Sequence, residues 1–341
     1  MYPLDQGRWG PTVRISHLRD ALARFVELDV IAGYRGARRA ALARYAFGGR
    51  LRGLDGIYVE SSSFLPAETD LAVLGLARAL GIPVLTYIRD AYQLFDDYYR
   101  ADSVRRWIGA HAFLPAMRAL GVVSTRLAFP SAGLARAVLG DDAPRSVLLP
   151  PGSPDPVEVA RRADAHRLLF VGDARLPAQG ADRLIAAVER ARGHGVMVEL
   201  TVVSRQGQEP PPPHPAWMRL VRAEGDEIVA LLPEVVATVI PRPRSPYNDL
   251  ALPIKLYDYF AYGRPLLVTD CEEQARVVID GQAGIVMTDG VPAMADAIAR
   301  LMSATPAELD RWSSNAHATA RAASWSERAA TILRTLLPGD A

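Results

Sequence analysis

The fold of this chain is most constrained by short apolar runs that alternate with longer helical patterns along almost its whole length. Runs rich in β-branched residues predict strands at 28–32, 56–60, 83–88, 126–130, 146–149, 167–171, 198–203, 236–241 and 265–269. Helical spacing of apolar residues between these runs predicts helices such as 15–25, 67–80, 179–192, 252–262 and 291–302. Alternating strands and helices are typical of parallel sheets with right-handed crossovers, so the sequence predicts an α/β fold.

A proline-rich segment at residues 150–156 divides the chain into two halves. Its four prolines cannot continue a strand or a helix. A series of strands and helices stands on each side, so we expect two Rossmann-like domains, residues 1–150 and 151–310, followed only by helices at 311–341. The first domain lacks the usual opening strand, because a loop-like segment at residues 5–10 follows the first residues directly. We expect that strand either to be absent or to lie upstream of this sequence.

The composition narrows the function classes. Lys and Arg total 39 and Asp and Glu total 38, a net charge of +1 that gives no indication of a nucleic-acid partner. The single cysteine, Cys271, excludes an intrachain disulfide framework and is expected to be a small buried residue in a reducing compartment. No apolar run reaches the ~18–20 residues of a membrane span, and the N-terminus shows no signal-peptide pattern. We therefore expect a cytoplasmic protein, soluble or peripheral on the inner face of the membrane.

Lys255 is the only lysine among the 39 basic residues, and it lies in a segment that predicts a helix. Asn248 or Asp249 can cap this helix, and Pro253 is tolerated in its first turn. The predicted strand 236–241 precedes the segment. This order places the helix N-terminus at the carboxyl edge of the sheet, where open α/β sheets bind ligands.

Lys255 and Asp258 lie one turn apart on a common face of the predicted helix. A helix N-terminus offers free N–H groups to a phosphate, and Lys255 adds a compact cation. Asp258 can accept hydrogen bonds from both hydroxyls of a ribose, so the two residues suit a nucleoside diphosphate. The alternative is a solvated ion pair between the two side chains, and their spacing leaves both interpretations open.

The surrounding residues match a known signature. Pro-x-Lys-Leu-x-x-Tyr at 253–259, Ala-x-Gly-x-Pro at 261–265 and a strand ending in Thr-Asp at 269–270 resemble the donor site of GT-B glycosyltransferases, especially glycosyltransferase family four and its relatives. The resemblance implies that Lys255 contacts the donor diphosphate and Asp258 the ribose. It also implies a GT-B fold with a cleft between the two domains. Residues 325–326 and the helix after them resemble the C-terminal segment that crosses back onto the first domain.

Two further segments agree with this resemblance in order and spacing. Residues 168–187 resemble the first strand, loop and helix of the family's donor domain. Arg175 there matches an arginine that reaches the phosphates, whereas Gln179 replaces the usual lysine and removes one charge. Residues 7–10 resemble the Gly-rich loop that approaches the donor phosphate, which adds Gly7 and Gly10 to the implied donor site.

The acceptor side rests on Arg89 and Asp90, which directly follow the predicted strand 83–88. They resemble a family loop in which Arg-Asp or His-Asp faces the cleft. Asp90 is then the candidate catalytic base, or orients the acceptor hydroxyl, and Arg89 is a candidate phosphate ligand. A helix N-cap or a loop ion pair is the alternative role for Asp90. Asp96 and Asp97 are weaker candidates.

Several catalytic motifs are absent from the sequence. It has no Gly-x-Gly-x-x-Gly, Walker loop or Gly-x-Ser-x-Gly elbow, which argues against a dehydrogenase, a P-loop NTPase and an α/β-hydrolase. It has no Asp-x-Asp, and its histidines are scattered, which favours a transferase that uses neither a metal nor a cofactor. Leu250 stands where some relatives carry the first of two paired glutamates, so inversion and retention both stay open.

We therefore expect a glycosyltransferase that moves a sugar from a nucleoside diphosphate sugar to the hydroxyl of a saccharide or lipid-linked acceptor, in polysaccharide or glycolipid assembly. One alternative is a sugar-nucleotide epimerase on the same fold. Another is a non-catalytic subunit that binds a nucleotide sugar, which would agree with the departures at Gln179 and Leu250.

Residues 103–120 admit two interpretations. Arg105, Arg106, Trp107, Phe113 and Arg118 form a basic and aromatic pattern that could contact an anionic membrane. The same segment also carries an apolar helical stripe, which would be part of the core: Val104, Trp107, Ile108, His111 and Leu114.

Overall fold

The computed structural model describes residues 10–33, 35–61, 65–96 and 98–337. The chain forms two compact units. Unit 1 contains the residues up to Gly152 together with those from Trp325 onward, and unit 2 is Ser153–Ser324. Within the described ranges no helix is long and apolar enough to cross a membrane.

Unit 1 is built on a parallel sheet of four strands in the order β1-β2-β3-β4. The strands are β1 Ile57–Glu60, β2 Val84–Tyr87, β3 Arg126–Phe129 and β4 Val147–Leu148. The helices are α1 Gly10–Leu22, α2 Arg35–Phe47, α3 Glu68–Ala79, α4 Val104–Val123, α5 Ala132–Leu139 and α13 Trp325–Leu336.

The predicted strand at residues 28–32 is wrong, because these residues form no strand. A strand needs a neighbour to satisfy its backbone N–H and C=O groups. In the described part of the chain no strand lies beside residues 28–32, and β1 pairs only with β2. Residues 28–32 and β1 instead both line a cavity of about 270 Å³.

The C-terminal helix returns to the first unit, as predicted. Helices α1 and α13 pack on each other, and their apolar faces share a core with β2. Arg14 on α1 is buried beneath them: its guanidinium lies 3.9 Å from the centre of the Tyr87 ring and donates to Glu60 at 3.1 Å. The ion pair connects α1 to the end of β1, and the contact with the Tyr87 ring connects it to the end of β2.

Unit 2 is built on a parallel sheet of six strands in the order β10-β9-β8-β5-β6-β7. The strands are β5 Arg167–Val171, β6 Glu199–Val203, β7 Met218–Val221, β8 Val235–Ile240, β9 Leu266–Thr269 and β10 Gly284–Met287. The helices are α6 Ala181–Gly193, α7 Asp226–Val229, α8 Pro246–Leu250, α9 Ile254–Ala261, α10 Glu272–Asp280, α11 Val291–Met302 and α12 Pro306–Ala322. Strands β7 and β10 were not predicted from the sequence.

Helix α12 spans residue 310, at which the sequence predicts the end of the second domain. It packs against α9 and contributes Ala316 and Ala320 to the core of unit 2. Thr305 caps its first turn and exchanges hydrogen bonds with Glu308. The chain passes back to unit 1 only at Trp325.

The segment around Lys255 forms two helices instead of the single predicted one. Ser245, not Asn248 or Asp249, caps the first of them, α8. The backbone is extended at Ala251 and at Pro253, so α9 begins at Ile254. A proline disfavours helical geometry at the residue before it, here Leu252 before Pro253, and this explains the interruption between the two helices.

Candidate functional site

The sheet of unit 2 has one topological switch point. Strand β5 lies between β8 and β6, so the chain leaves it toward β6 and later returns on its other side as β8. Ligands of open α/β sheets bind at the carboxyl ends of the strands at such a point. Gln179 lies in the segment that follows β5, and Lys255 lies in the first turn of α9, which comes after β8.

Lys255 reaches the carboxyl end of β5. Its Nζ donates to the side-chain oxygen Oε1 of Gln179 at 2.6 Å and to the carbonyl oxygen of Val171 at 3.3 Å. It also lies 4.7 Å from the centre of the Phe170 ring. No carboxylate pairs with this ammonium among the described residues, so its partners here are neutral acceptors and a ring face.

A second cation, Arg242, lies near Lys255. It follows β8, is 6% exposed, and donates to the side chain of Asn248 and to the carbonyl of Ala251. Its Nε has no hydrogen-bond partner in the described chain. Burial, and then the positive charge of Arg242, lower the pKa of Lys255 to about 7. Two positive groups without a carboxylate between them favour an anionic ligand.

Two glycines allow the loop after β5 to approach these cations. At Gly172, with φ +150°, a Cβ would lie 3.3 Å from Nζ of Lys255. At Gly180, with φ +71°, a Cβ would lie 1.8 Å from the carbonyl oxygen of Pro241. Gly180 also begins α6 without a side-chain cap, so the first N–H groups of that helix have no capping oxygen.

Asp258 follows Lys255 by one helical turn, but the two form no ion pair among the described residues. Its carboxyl group is partly buried, and this burial raises its pKa to about 7. The solvated ion pair considered from the spacing is therefore not what the structure shows. Both groups can change their charge near neutral pH.

Arg175, Gly10 and Gly7 are the remaining donor-side residues, and their role in donor binding stays a prediction. The guanidinium of Arg175 is exposed and lies 3.4 Å from the carbonyl oxygen of Gly207. Gly10 is the first residue of α1 in unit 1, and Gly7 lies outside the described residues.

Arg89 and Asp90 lie in unit 1, just beyond the carboxyl end of β2. Arg89 Nε lies 2.5 Å from Asp90 Oδ2, and both side chains are partly buried. Asp90 does not cap the short helical turn that follows, since Ala91 holds that position. Asp97 lies outside the described residues. The loop ion pair foreseen for Asp90 is thus present, and its role as a base stays a prediction.

Sequence reasoning missed Arg242. The signal was a basic residue two positions after a strand that is apolar except for Thr238. Arg244 follows after one further proline, however, and it forms a partly exposed ion pair with Asp249. Only the fold separates the buried arginine from the solvated one. Among the described residues, no three His, Cys, Asp or Glu side chains are grouped to hold a metal.

A protein-family model matches most of the unit that carries this site. Residues 165–304 match the family described as glycosyl transferases group 1. This segment is a group 1 glycosyltransferase domain. The predicted resemblance and the predicted enzyme class are thereby confirmed, and the family implies a nucleotide sugar as donor.

Solved structures support the fold at low sequence identity. WaaG, a glycosyltransferase involved in lipopolysaccharide biosynthesis, is 13% identical with a TM-score of 0.62, over 99% of this chain and 98% of that one. A glycosyltransferase from Rickettsia africae is 11% identical with a TM-score of 0.63, over 92% and 85%. An α,α-trehalose-phosphate synthase from Burkholderia vietnamiensis is 12% identical with a TM-score of 0.58, over 94% and 82%. The GT-B type of fold is confirmed, while no curated protein matches the chain in sequence.

Proposed function

We propose that this chain transfers a sugar from a nucleoside diphosphate sugar to an acceptor hydroxyl, without a metal, and that unit 2 binds the donor through Lys255. The observation that carries the proposal is the position of the Lys255 ammonium. It lies at the switch point of the sheet, near Arg242 and without a carboxylate partner in the described chain.

The proposal gives each donor-side residue a role. The Lys255 ammonium binds the diphosphate, and Gln179 holds the ammonium at the end of β5 through the 2.6 Å hydrogen bond. Fixed positive groups and the N–H groups that begin α6 stabilise the charge that develops on the leaving diphosphate. Asp258 accepts hydrogen bonds from the ribose. Arg175, Arg89 and the Gly7–Gly10 loop remain proposed donor contacts.

On the acceptor side the proposed base is Asp90. Its support is its place beyond the end of a parallel strand and its partner Arg89, which can hold the carboxylate in one orientation. The proposed acceptor is a saccharide or a lipid-linked saccharide, in polysaccharide or glycolipid assembly, and the protein works in the cytoplasm with peripheral contact to the membrane.

Thermal shift with nucleoside diphosphates tests donor binding. A ligand at 100 times its Kd stabilises the fold by about 2.7 kcal/mol, so the screen identifies the preferred base. Lys255→Ala should weaken the binding of that nucleotide by ~1.5–3 kcal/mol, the contribution of a charge-assisted hydrogen bond. Arg190→Ala is the matched control and should leave the affinity unchanged, because it removes an exposed cation from the last turn of α6, at the end of that helix opposite to Gly180. Unchanged UDP and GDP affinity in a folded Lys255→Ala protein would refute the assignment.

Incubation with the preferred nucleotide sugar separates the reaction classes. A transferase releases nucleoside diphosphate only when an acceptor is added. Formation of an epimer without acceptor would show that the activity is that of an epimerase and would refute the proposed transferase activity. Donor binding without turnover over a broad acceptor panel would favour a non-catalytic subunit.

A further inference from the structure

The backbone groups of Val171 lie at the end of β5, on the side that faces β8. The next residue, Gly172, donates to the carbonyl oxygen of Val203 in β6 at 2.9 Å. Because successive residues of a strand turn their N–H and C=O groups to opposite sides, those of Val171 face β8. The pairing of β5 with β8 ends before Val171, at Leu169 and Thr238. The N–H and C=O of Val171 therefore need partners from outside the sheet.

Helix α9 supplies both partners from one face. Lys255 donates to the carbonyl oxygen of Val171 at 3.3 Å, and the N–H of Val171 donates to the hydroxyl oxygen of Tyr259 at 2.8 Å. The side chains of Lys255 and Tyr259 are spaced at i and i+4, so they lie on the same face of the helix. At Val171, α9 thus provides the hydrogen bonds that a neighbouring strand provides elsewhere in the sheet.

The contact of Tyr259 is the more rigid of the two. Tyr259 is 1% exposed and packs in the core of unit 2 with Ile240 and Leu256. Burial raises the pKa of its hydroxyl, so the group stays neutral. A buried hydroxyl and a buried N–H each cost free energy without a partner, and here they satisfy each other. Lys255 has a flexible stem, so its ammonium reaches β5 only where α9 is correctly placed.

We propose that Tyr259 is a positioning residue for Lys255. Its hydroxyl holds α9 at the end of β5, and this places the ammonium beside Gln179 without contact between Tyr259 and the ligand. The inference deepens the proposed function and rests on it for the identity of that ligand, a nucleoside diphosphate. A tyrosine that only filled the core would affect the stability of unit 2 and leave the surroundings of the ammonium unchanged.

Isotope labelling of lysine tests the position directly, because Lys255 is the only lysine of the chain. With a carbon-13 label at the Cε atom of lysine, the NMR spectrum contains a single labelled side chain, and its chemical shift followed against pH gives the pKa of Lys255. In the unmodified chain this pKa should be about 7. Tyr259→Phe removes only the hydroxyl group. In this variant the pKa should rise by about one pH unit or more toward the ordinary ~10.4, because solvent reaches an ammonium that α9 no longer holds.

Tyr262→Phe is the matched control. Tyr262 follows the last residue of α9, and its ring centre lies 6.0 Å from that of Tyr259, but its hydroxyl forms no hydrogen bond to β5 in the described chain. Both variants keep the other charged groups of the site, Arg242 and Asp258. The control should leave the pKa of Lys255 unchanged. An unchanged pKa in Tyr259→Phe, or an equal rise in the control, would overturn the inference.

Amide hydrogen exchange tests the same contact without a variant. In the unmodified chain the N–H of Val171 should be protected from exchange as the N–H groups inside the sheet are, since the Tyr259 hydroxyl is its partner. Exchange at the rate of an exposed amide would overturn the inference, because Tyr259 would then not hold the end of β5.

Nucleotide affinity distinguishes this inference from the function on which it rests. Tyr259→Phe should bind the preferred nucleoside diphosphate about tenfold or more weakly, whereas Tyr262→Phe should bind it as the unmodified chain does. A raised Lys255 pKa in Tyr259→Phe, together with an unmodified chain that binds no nucleotide, would refute the proposed donor site and leave the positioning role standing. Nucleotide binding that Tyr259→Phe does not weaken would refute the positioning role alone.

Discussion

Binding of a nucleotide sugar should depend on pH, with highest affinity near pH 7, because two groups at the site change charge there. Burial and the charge of Arg242 lower the pKa of Lys255 to about 7, and burial raises the pKa of Asp258 to about 7. A diphosphate beside Lys255 would return its pKa toward the ordinary ~10.4, so binding takes up a proton there. Ribose hydroxyls that donate to Asp258 favour the carboxylate, so binding releases a proton there.

Proton uptake at Lys255 and proton release at Asp258 together give a bell-shaped dependence of the binding affinity on pH. The bound state of Lys255 has the higher pKa, so its contribution is fully present below pH 7 and is lost as the pH rises. The bound state of Asp258 has the lower pKa, so its contribution is present above pH 7 and is lost as the pH falls. From pH 7 to pH 9 the affinity should fall by about 25-fold, and on the acid side the slope should approach about tenfold per pH unit.

Titration calorimetry in buffers of different ionisation enthalpy measures both the affinity and the protons exchanged. A nucleotide sugar is the ligand of choice, because its diphosphate has no terminal phosphate that titrates near neutral pH. Net proton release below pH 7 should change to net uptake of about 0.8 proton at pH 8. Asp258→Asn should remove the acid limb, and Lys255→Arg the alkaline limb, since arginine stays charged throughout. An alkaline limb that persists in Lys255→Arg would refute the reasoning.

Three further predictions concern stability. Gly180→Ala should lower the free energy of unfolding by more than about 1 kcal/mol in urea titrations. The added Cβ would meet the carbonyl oxygen of Pro241, and the backbone φ at Gly180 is +71°. Gly195→Ala is the control, because Gly195 also has a positive φ but has open space around the added Cβ. Arg14→Met should lower the free energy of unfolding by about 3–5 kcal/mol, because it breaks the buried ion pair with Glu60, and an equal loss in Arg19→Met would contradict this. Thr305→Ala should lower the free energy of unfolding by about 1 kcal/mol, because it removes the side-chain cap of α12. Thermal unfolding measures this loss, with Thr331→Ala as the control.

Most of the unit 2 sheet could be predicted from the sequence because its central strands are buried on both faces and form continuous apolar runs. The two missed strands depart from that pattern. Strand β7 is a four-residue edge strand that carries an exposed Arg219, and β10 opens on Gly284, where a Cβ would meet the backbone of Leu266. Short strands of this kind carry little periodicity.

The contact between Lys255 and Gln179 could not be predicted from the sequence. Each residue could be assigned to the end of its own strand, but they are separated by 76 positions along the chain. Their contact depends on β8 lying beside β5, and strand order is not encoded in local periodicity. For α4 the difficulty is different: apolar residues occur on all sides of the helix, so its pattern does not distinguish the exposed side with Val104 and Ile108 from the buried side with Phe113.

The positive charge of Arg242 near position 255 favours a lysine there in a chain that uses arginine at 38 of its 39 basic positions. Lys255 is partly buried near Arg242 and has no carboxylate partner in the described chain, so without a ligand the two cations repel. Lysine can release its proton there at a pKa of about 7 and regain it from the solvent when phosphate binds, whereas arginine cannot. Without nucleotide, Lys255→Arg should therefore unfold at a lower temperature than Lys255→Met at pH 8, and nucleoside diphosphate should narrow the difference. Equal unfolding temperatures of the two empty variants would show that repulsion from Arg242 does not select the lysine.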